Sequence, residues 1–343
     1  MSPDIRSRRA AAGARGTVWL GLLTAGCLLA VGCQGLEAPL SVQREAELRE
    51  RALALLLRAA QSDLGVERAH AIEALVDLAP RENLLVFRAA ATSDVPVVRY
   101  AACVALGEVR DSASLSALRR MISDPNPHVR LGAAFAACRC GDREAARRLV
   151  QALNGDPDEK LRAQAAYLIG KLGEPQAVRR LQVALAREKS AHARLHIVTA
   201  LALLGDRDAL DALVYYAQSD LNSRLIALQS LAELAPPEAR EALLRTLKDD
   251  EYYLQARLIA ARALGALGDD AGYQLARKAL GHSARNPEET MQVRVNAALA
   301  LGAIGKPAAL PALARLAESE DDPRTQVAAC YAICQITRAT RRQ

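Results

Sequence analysis

Aromatic residues are scarce in this chain of 343 residues: they make up 3% of the sequence, with one Trp and two Phe. The usual large core fillers of globular domains are therefore nearly missing. The apolar fraction is nevertheless 51%, which excludes intrinsic disorder. Alanine and leucine, with 71 and 53 residues, supply most of it. Because both residues favour helix strongly, the composition argues against a β-sandwich or a barrel.

Lysine is also rare, with six residues, so the positive charge is carried mainly by arginine. The formal net charge is +6, from 45 basic and 39 acidic side chains. Residues 1–32 hold four Arg and one Asp, and without them 41 basic and 38 acidic residues remain. A surface of such mixed sign lacks the basic footprint of a nucleic-acid binder. We therefore expect no nucleic-acid partner.

The first 32 residues have the pattern of a targeting signal. A basic segment is followed by the uncharged stretch TVWLGLLTAGCLLAVG at positions 17–32, which is shorter than the roughly 20 residues of a spanning helix. Residues 30–33 read AVGC. This pattern resembles the lipobox of bacterial lipoproteins, and the resemblance implies cleavage before Cys33 and lipidation of its thiol.

The resemblance leaves alternatives open. The sequence TAGC ending at Cys27 is a competing lipobox, and ordinary cleavage, an uncleaved anchor and a cytoplasmic chain are the others. With lipid on Cys33, residues 33–40 form a short tether and the protein is anchored in a bacterial cell envelope, facing the periplasm. Gln34, where inner-membrane lipoproteins carry Asp, favours the outer membrane over the inner one.

The rest of the chain repeats. A register of the form VR-x-x-AA-x-AL-G recurs at intervals of 30 to 37 residues, and its anchor arginines are Arg68, Arg99, Arg130, Arg162, Arg194, Arg224, Arg257 and Arg294, with Gln326 in the last copy. Nine copies fill residues 60–338. Residues 41–60 are predicted to form the first helix of the first copy. Each copy is predicted to form two antiparallel helices.

Capping residues predict where the anchored helices begin and end. Asp94, Asp124, Asp156, Asp220 and Asn286 precede them as N-cap candidates. Glycines follow as C-terminal candidates at positions 107, 170, 205, 268 and 305. The longest spacing, before Arg294, predicts a protruding loop over residues 281–287.

This register resembles the HEAT family of helical repeats, in particular the short bacterial form of phycobilisome lyases. The resemblance implies an all-α fold, an α-solenoid of about nine stacked helix-turn-helix repeats over residues 41–338, with 339–343 as a C-terminal tail. We expect a single elongated domain. The resemblance also implies that the anchor arginines form a structural ladder with acids such as Asp94, Asp124 and Asp156; an anion-binding role is the alternative.

Candidate metal and redox sites are weak. His192 and His196 are four residues apart, but no second pair completes a metal site, so we expect no metal and no cofactor. Cys103, Cys138, Cys140, Cys330 and Cys334 are expected to be buried thiols. A disulfide that involves one of the first three, or a metal bound by cysteines, stays open.

Two columns flank the buried face of the anchored helix. One residue after the anchors come Ala69, Tyr100, Leu131, Ala163, Leu195, Leu225, Leu258, Val295 and Val327; five residues after them come Glu73, Val104, Phe135, Tyr167, Thr199, Gln229, Arg262, Leu299 and Tyr331. Because this helix lines the concave surface of HEAT solenoids, Tyr100, Leu131, Phe135 and Tyr167 are predicted to form a partner-binding patch. Tight packing of adjacent helices, which would bury the first column, is the alternative.

No catalytic grouping is present: the sequence lacks a Walker loop, a GxSxG motif and a CxxC motif. HEAT-type deoxyhypusine hydroxylases bind iron through His-Glu dipeptides, which are absent here. We therefore predict a non-enzymatic scaffold that binds a protein or peptide on its concave face. A bilin-lyase-like enzyme or chaperone is the alternative. A DNA-acting HEAT protein is a third reading, disfavoured because the one Trp, Trp19, lies inside the signal.

Overall fold

The computed structural model describes residues 40–219, 221–318 and 322–340, and within these ranges all regular structure is helical. Nine helix pairs follow one another, as the repeat register predicts. The helices are α1 (Val42–Ala59), α2 (Gly65–Leu78), α3 (Leu84–Ala90), α4 (Pro96–Glu108), α5 (Leu115–Met121), α6 (Pro127–Arg139), α7 (Ala146–Gly155), α8 (Glu159–Leu172), α9 (Ala177–Arg187), α10 (Ala191–Leu203), α11 (Arg207–Tyr216), α12 (Leu221–Leu234), α13 (Arg240–Lys248), α14 (Leu254–Ala266), α15 (Tyr273–Ala279), α16 (Pro287–Ile304), α17 (Leu310–Glu318) and α18 (Pro323–Thr340).

The anchored helices start two residues later than predicted in two repeats. Asn126 and Asp158, not Asp124 and Asp156, are the N-caps of α6 and α8. Asp124 and Asp156 instead accept hydrogen bonds from the backbone N–H groups of these two caps, at 2.8 and 3.0 Å. Such Asx turns position the chain for the helix start.

Two further N-cap predictions have different outcomes. Asn286 caps α16, as predicted, and its side chain accepts a hydrogen bond from the N–H of Glu288. At α4 the N-cap is Val95, one residue after Asp94, and Pro96 at the first helical position replaces a side-chain cap. Asp220 lies outside the described residues.

The helix ends divide into two kinds. Gly205, Gly268 and Gly305 have positive φ, 86°, 80° and 76°, and close their helices as predicted. Gly107 and Gly170, by contrast, lie inside α4 and α8, so these two predictions are wrong. A Cβ on Gly170 would lie 2.7 Å from the Cα of Ala200 in α10. The two positions lack a side chain because the next anchored helix touches their backbone.

The insertion before Arg294 does not form only a loop. Part of it extends α16, which has 18 residues where α14 has 13. The remainder, residues 280–286, connects α15 to α16, and the carbonyl of His282 accepts a hydrogen bond from Nε of Arg294. The protruding loop predicted over residues 281–287 therefore lies one residue earlier, over residues 280–286, and the extended helix α16 follows it directly.

The helices form two layers. The even-numbered helices, here called the inner helices, each pack against the next even-numbered helix along the chain. The odd-numbered helices, here called the outer helices, pack on the inner helix of their own repeat. The contacts between inner helices are rich in alanine: Ala133, Ala134, Ala136 and Ala137 of α6 are all fully buried. Small side chains bring these helix axes close together.

The two ends of the repeat array meet. The last inner helix, α18, packs against both α1 and α2. The Tyr331 hydroxyl donates a hydrogen bond to the Asp77 carboxylate at 2.8 Å, and Arg338 donates to the Asp77 carbonyl at 3.0 Å. The described residues therefore close into a ring, and we call the junction of α18 with α1 and α2 the seam. The expectation of an elongated domain is wrong, because the curvature of nine repeats adds up to a full turn.

The predicted lipidation site, Cys33, and the predicted signal and tether segments lie outside the described residues. Among the helices of the described ranges, none combines the length and apolar character needed to cross a membrane.

Close approach of the inner helices makes Gly170 sensitive to substitution. Gly170→Ala should lower the free energy of unfolding by about 1–3 kcal/mol, because its Cβ would press on the α10 backbone. Gly155→Ala is the matched control: Gly155 is an exposed helical residue with nothing within 4 Å of the added Cβ, so about 0.4–1 kcal/mol of stabilisation is expected. Urea unfolding measures both. Equal effects of the two substitutions would contradict the close approach.

Candidate functional site

One pocket on the inner face lies at the seam. It has a volume of about 280 Å³ and is lined by inner helices of the first repeat and of the last three repeats. We call it the seam pocket; its residues are His70, Glu73 and Ala74 of α2, Arg262 of α14, Val295 and Leu299 of α16, and Arg324, Val327, Ala328 and Tyr331 of α18. Because Glu73 and Arg262 are far apart in sequence, only closure of the ring brings this pocket together.

A second pocket lies elsewhere on the inner face, between α8, α10 and α12. It has a volume of about 350 Å³. We call it the histidine pocket; its residues are Lys160, Ala163, Gln164 and Tyr167 of α8, His192, His196 and Thr199 of α10, and Ile226, Gln229, Ser230 and Glu233 of α12. Nine of its eleven lining residues have polar side chains, against five of ten in the seam pocket.

Side chains of inner helices that are two repeats apart contact each other across the inner face. Lys171 of α8 pairs with Glu108 of α4 at 2.8 Å and lies 3.9 Å from Glu233 of α12. The Tyr167 hydroxyl donates to Glu233 at 2.9 Å. In a straight stack, second-neighbour helices would lie about 16–20 Å apart, since neighbours pack at 8–10 Å. These contacts therefore require strong curvature.

The predicted partner-binding patch is largely not a surface. Phe135 is fully buried and Leu131 is buried, so neither is available to a partner. Tyr100 and Tyr167 are half-buried on the inner face, and Tyr167 is already hydrogen-bonded to Glu233. The prediction is wrong for Leu131 and Phe135, which belong to the core.

Glycine explains why α6 is covered. A Cβ on Gly107 of α4 would lie 3.0 Å from a ring carbon of Phe135, so this ring packs against bare backbone. A Cβ on Gly132 would lie 2.8 Å from the ring of Tyr100, so Tyr100 lies across α6. The neighbouring helices thus cover residues that were predicted, from their column in the repeat register, to lie at the surface.

Of the predicted acids, Asp124 pairs with an anchor arginine through its carboxylate, whereas Asp94 and Asp156 offer their backbone carbonyls to Arg99 and Arg162. Arg99 makes a two-pronged ion pair with Asp124 of the next repeat, with both N–O distances 2.9 Å. Arg162 does the same with Glu188, at 2.7 and 2.8 Å. The Arg162 guanidinium and two backbone N–H groups lower the pKa of Glu188 to about 2. These pairs join consecutive repeats.

The other anchors bond mainly to backbone carbonyls. Carbonyl groups at the end of the preceding outer helix, or in the loop that follows it, accept hydrogen bonds from Arg130, Arg194, Arg224, Arg257 and Arg294. Arg224 also lies 4.0 Å from the centre of the Tyr252 ring, and Arg257 pairs with Asp250. The Nε of Arg68 is buried without a hydrogen-bond partner among the described residues. Most of the anchor guanidinium groups are therefore engaged within the fold.

A second set of arginine pairs joins outer helices to the ends of inner helices, and the register of the anchor arginines does not predict it. Asp111, Asp142 and Asp269 follow inner helices, and they pair with Arg88, Arg119 and Arg240 of the outer helices at 2.7, 2.7 and 2.6 Å. The recurring Gly-Asp after an inner helix, as at residues 141–142 and 268–269, is the signal that would have predicted these pairs.

The His192–His196 pair lines the histidine pocket. Its rings make an edge contact, with centroids 4.7 Å apart. Burial, and secondarily the nearby His192, lower the pKa of His196 to about 4, so it is neutral at pH 7. In the part of the chain that the structure describes, no group of three or more His, Cys, Asp or Glu side chains is arranged to hold a metal ion.

The five described cysteines are free thiols, and none forms a disulfide within the described ranges. Burial raises the pKa of Cys103, Cys138, Cys330 and Cys334 to about 12. A thiol with such a pKa is a poor nucleophile and metal ligand. The interpretation of these residues as small hydrophobic groups therefore agrees with their surroundings.

Charges in the seam pocket are unevenly paired. Arg324 pairs with Asp322 and Glu288 at 3.1 and 3.2 Å. A hydrogen bond that the His70 ring donates to the Glu73 carboxylate, at 3.3 Å, raises the pKa of His70 against the effect of burial. Arg262 has no hydrogen bond or ion pair with any described residue. The pocket thus offers one free guanidinium beside an apolar floor.

Comparison with known proteins agrees with the repeat register. The family described as HEAT repeats matches residues 52–137, 120–193, 146–226 and 255–334. Human deoxyhypusine hydroxylase in complex with glycerol is similar over 76% of this chain and 98% of its own, with 18% identity and a TM-score of 0.38.

The complex of CpcE and CpcF of phycocyanin lyase from Nostoc sp. PCC7120 is similar over 73% of this chain and 93% of its own, with 19% identity and a TM-score of 0.40. No curated protein matches the chain in sequence. Because the family matches well over half of the 343 residues, the chain belongs to the HEAT-repeat family.

Proposed function

We propose that this protein is a non-enzymatic scaffold that binds a protein or peptide partner on the inner face of its ring. We further propose that a lipid on Cys33 holds it at a bacterial envelope membrane, with the outer membrane favoured by Gln34. The single observation that carries the binding proposal is the placement of both pockets: each is lined only by inner helices.

The pockets retain binding groups that the fold does not use. Most anchor and outer-helix arginines form ion pairs or hydrogen bonds to carbonyl groups within the fold. Arg262 and the exposed Gln229 form neither with the described residues. An interface needs apolar area with a few oriented polar groups, and the seam pocket combines them. We therefore propose these pockets, and not the predicted aromatic patch, as the partner-binding surface.

The chemistry of the inner face supports binding over catalysis. A nucleophilic cysteine needs a depressed pKa, and the described cysteines have raised ones. A general base works best with a pKa near the operating pH, and the buried His196 has a pKa of about 4. Of these groups only His196 lines one of the two pockets, and its low pKa favours a binding role there.

Site-specific photo-crosslinking in cells tests the binding face. A photoreactive residue at the inner position Gln229 should capture a discrete partner, and the same residue at Val183, which is 45% exposed on outer helix α9, should capture it at least about tenfold less. His70 is a second inner position. Capture that is equal at Val183 and at the inner positions, or restricted to Val183, would refute an inner-face partner.

Fatty-acid labelling of the full-length chain in its host tests the anchor. Cys33→Ser should abolish labelling and release the protein from the membrane fraction, because the thiol that receives the lipid is missing. Cys27→Ser is the matched control and should label like the wild type. Labelling that survives Cys33→Ser and disappears with Cys27→Ser would move the lipid to Cys27, and an unlabelled wild type would exclude the anchor.

A further inference from the structure

We infer that the seam pocket binds the C-terminal residue of a polypeptide, with the terminal carboxylate on Arg262 and an apolar side chain on the pocket floor. This inference rests on the proposed binding of a partner to the inner face, and it names the chemistry of the group that is bound.

Arg262 is the charged group in the pocket that the fold leaves available. It is half-buried on α14 and makes no hydrogen bond or ion pair with the described residues. The other charged residues of the lining are engaged: Arg324 by Asp322 and Glu288, and His70 and Glu73 by each other. A guanidinium that is partly withdrawn from water gains most from a two-pronged bond with a carboxylate.

Arg262 is also unusual among the equivalent positions of the repeats. It belongs to the column five residues after the anchors, whose nine members include only two charged residues, Glu73 and Arg262. The closed ring places these two in the same pocket. Glu73 bonds to His70, at 3.3 Å, and makes no ion pair with Arg262.

The floor and the size of the pocket point to a chain terminus. Val295, Leu299 and Val327 provide apolar surface beside the guanidinium. A volume of about 280 Å³ is at the small end of ligand sites, about 300–1,000 Å³, so it admits one side chain with its carboxylate. In a C-terminal residue both groups are attached to the same Cα, whereas an internal Asp or Glu carries its carboxylate on a separate side chain.

The location of the pocket adds a consequence for the ring. Its lining comes from α2 at one end of the array and from α14, α16 and α18 at the other. A ligand that contacts both sides binds the closed ring better than an opened one, and it therefore shifts the population toward closure. Binding should slow hydrogen exchange in both α2 and α18.

The test uses pools of biotinylated hexapeptides whose last three residues are randomised. One pool ends in a free carboxylate and the other in an amide. The purified full-length protein should enrich free-acid peptides that end in Leu, Val, Ile or Met. It should bind the amidated pool at least about tenfold more weakly, because the amide removes the charge that Arg262 pairs with. Exchange protection of α2 and α18 is measured with the best peptide.

Two variants and one control connect the result to the site. Arg262→Gln should reduce binding of the best peptide about tenfold or more, and Arg262→Lys should reduce it less, since Lys keeps the charge but lacks the planar fork. Because Arg262 has no described partner, both variants should keep the wild-type melting temperature. Arg245→Gln, on the exposed face of outer helix α13, should bind like the wild type.

Several outcomes would overturn the inference. Equal binding of the acid and amide pools, enrichment of internal Asp or Glu in the amidated pool, wild-type binding by Arg262→Gln, or no enrichment in either pool would each do so. If photo-crosslinking still captures a partner from Gln229 and His70, the proposed function survives that failure. If crosslinking fails while free-acid peptides bind, the pocket chemistry is right and the scaffold proposal falls.

Discussion

Close packing between neighbouring inner helices is the constraint on which the rest of the structure depends. Alanine and glycine at these contacts let one helix rest on the backbone of the next, as at Gly170 and Ala200. The resulting spacing is smaller on the inner side than on the outer side of each repeat. With about 40° of rotation per repeat, nine repeats complete a turn. The scarcity of aromatics thus goes together with the curvature, because bulky contacts would hold the inner helices apart.

Closure changes what the inner face can do. An open solenoid presents a continuous concave groove, whereas this ring brings side chains of second-neighbour helices into contact, as in the Glu108–Lys171 pair. Part of the inner face is therefore filled by the protein itself. The space that remains is divided into pockets, and one of them exists only because α2 and α18 meet. We expect a partner to offer a short terminal group that enters such a pocket.

The repeat register made much of the fold predictable from the sequence. The arginine spacing predicted nine helix pairs, and Gly205, Gly268 and Gly305 predicted helix ends, because both signals depend on local backbone chemistry. Closure of the ring was not predictable in the same way. It is the sum of small rotations, each set by the packing of several side chains, and no single residue encodes it.

The candidate site was harder to predict for a related reason. A prediction from equivalent positions of the repeat register treats all repeats as equal. It placed Glu73, Arg262 and Tyr331 beside the inner face, where the structure has them. It failed at Phe135, because Gly107 on the neighbouring helix provides a recess into which that ring fits. Similarly, the spacing of Gly107 and Gly170 resembles that of C-cap residues, yet close contact with the next inner helix explains why these positions are glycine. Such exceptions depend on residues in an adjacent repeat, about 30 positions away.

Hydrogen exchange after a substitution in α1 tests the closed ring most directly. Leu56 is fully buried in α1 and lines the same cleft as Val327 and Cys330 of α18. Leu56→Ala removes core contacts worth about 2–5 kcal/mol. In a closed ring the amides of α18 should exchange faster together with those of α1 and α2, since they share one packed junction. Faster exchange confined to α1–α3, with α18 protected as in the wild type, would show that the ends do not meet.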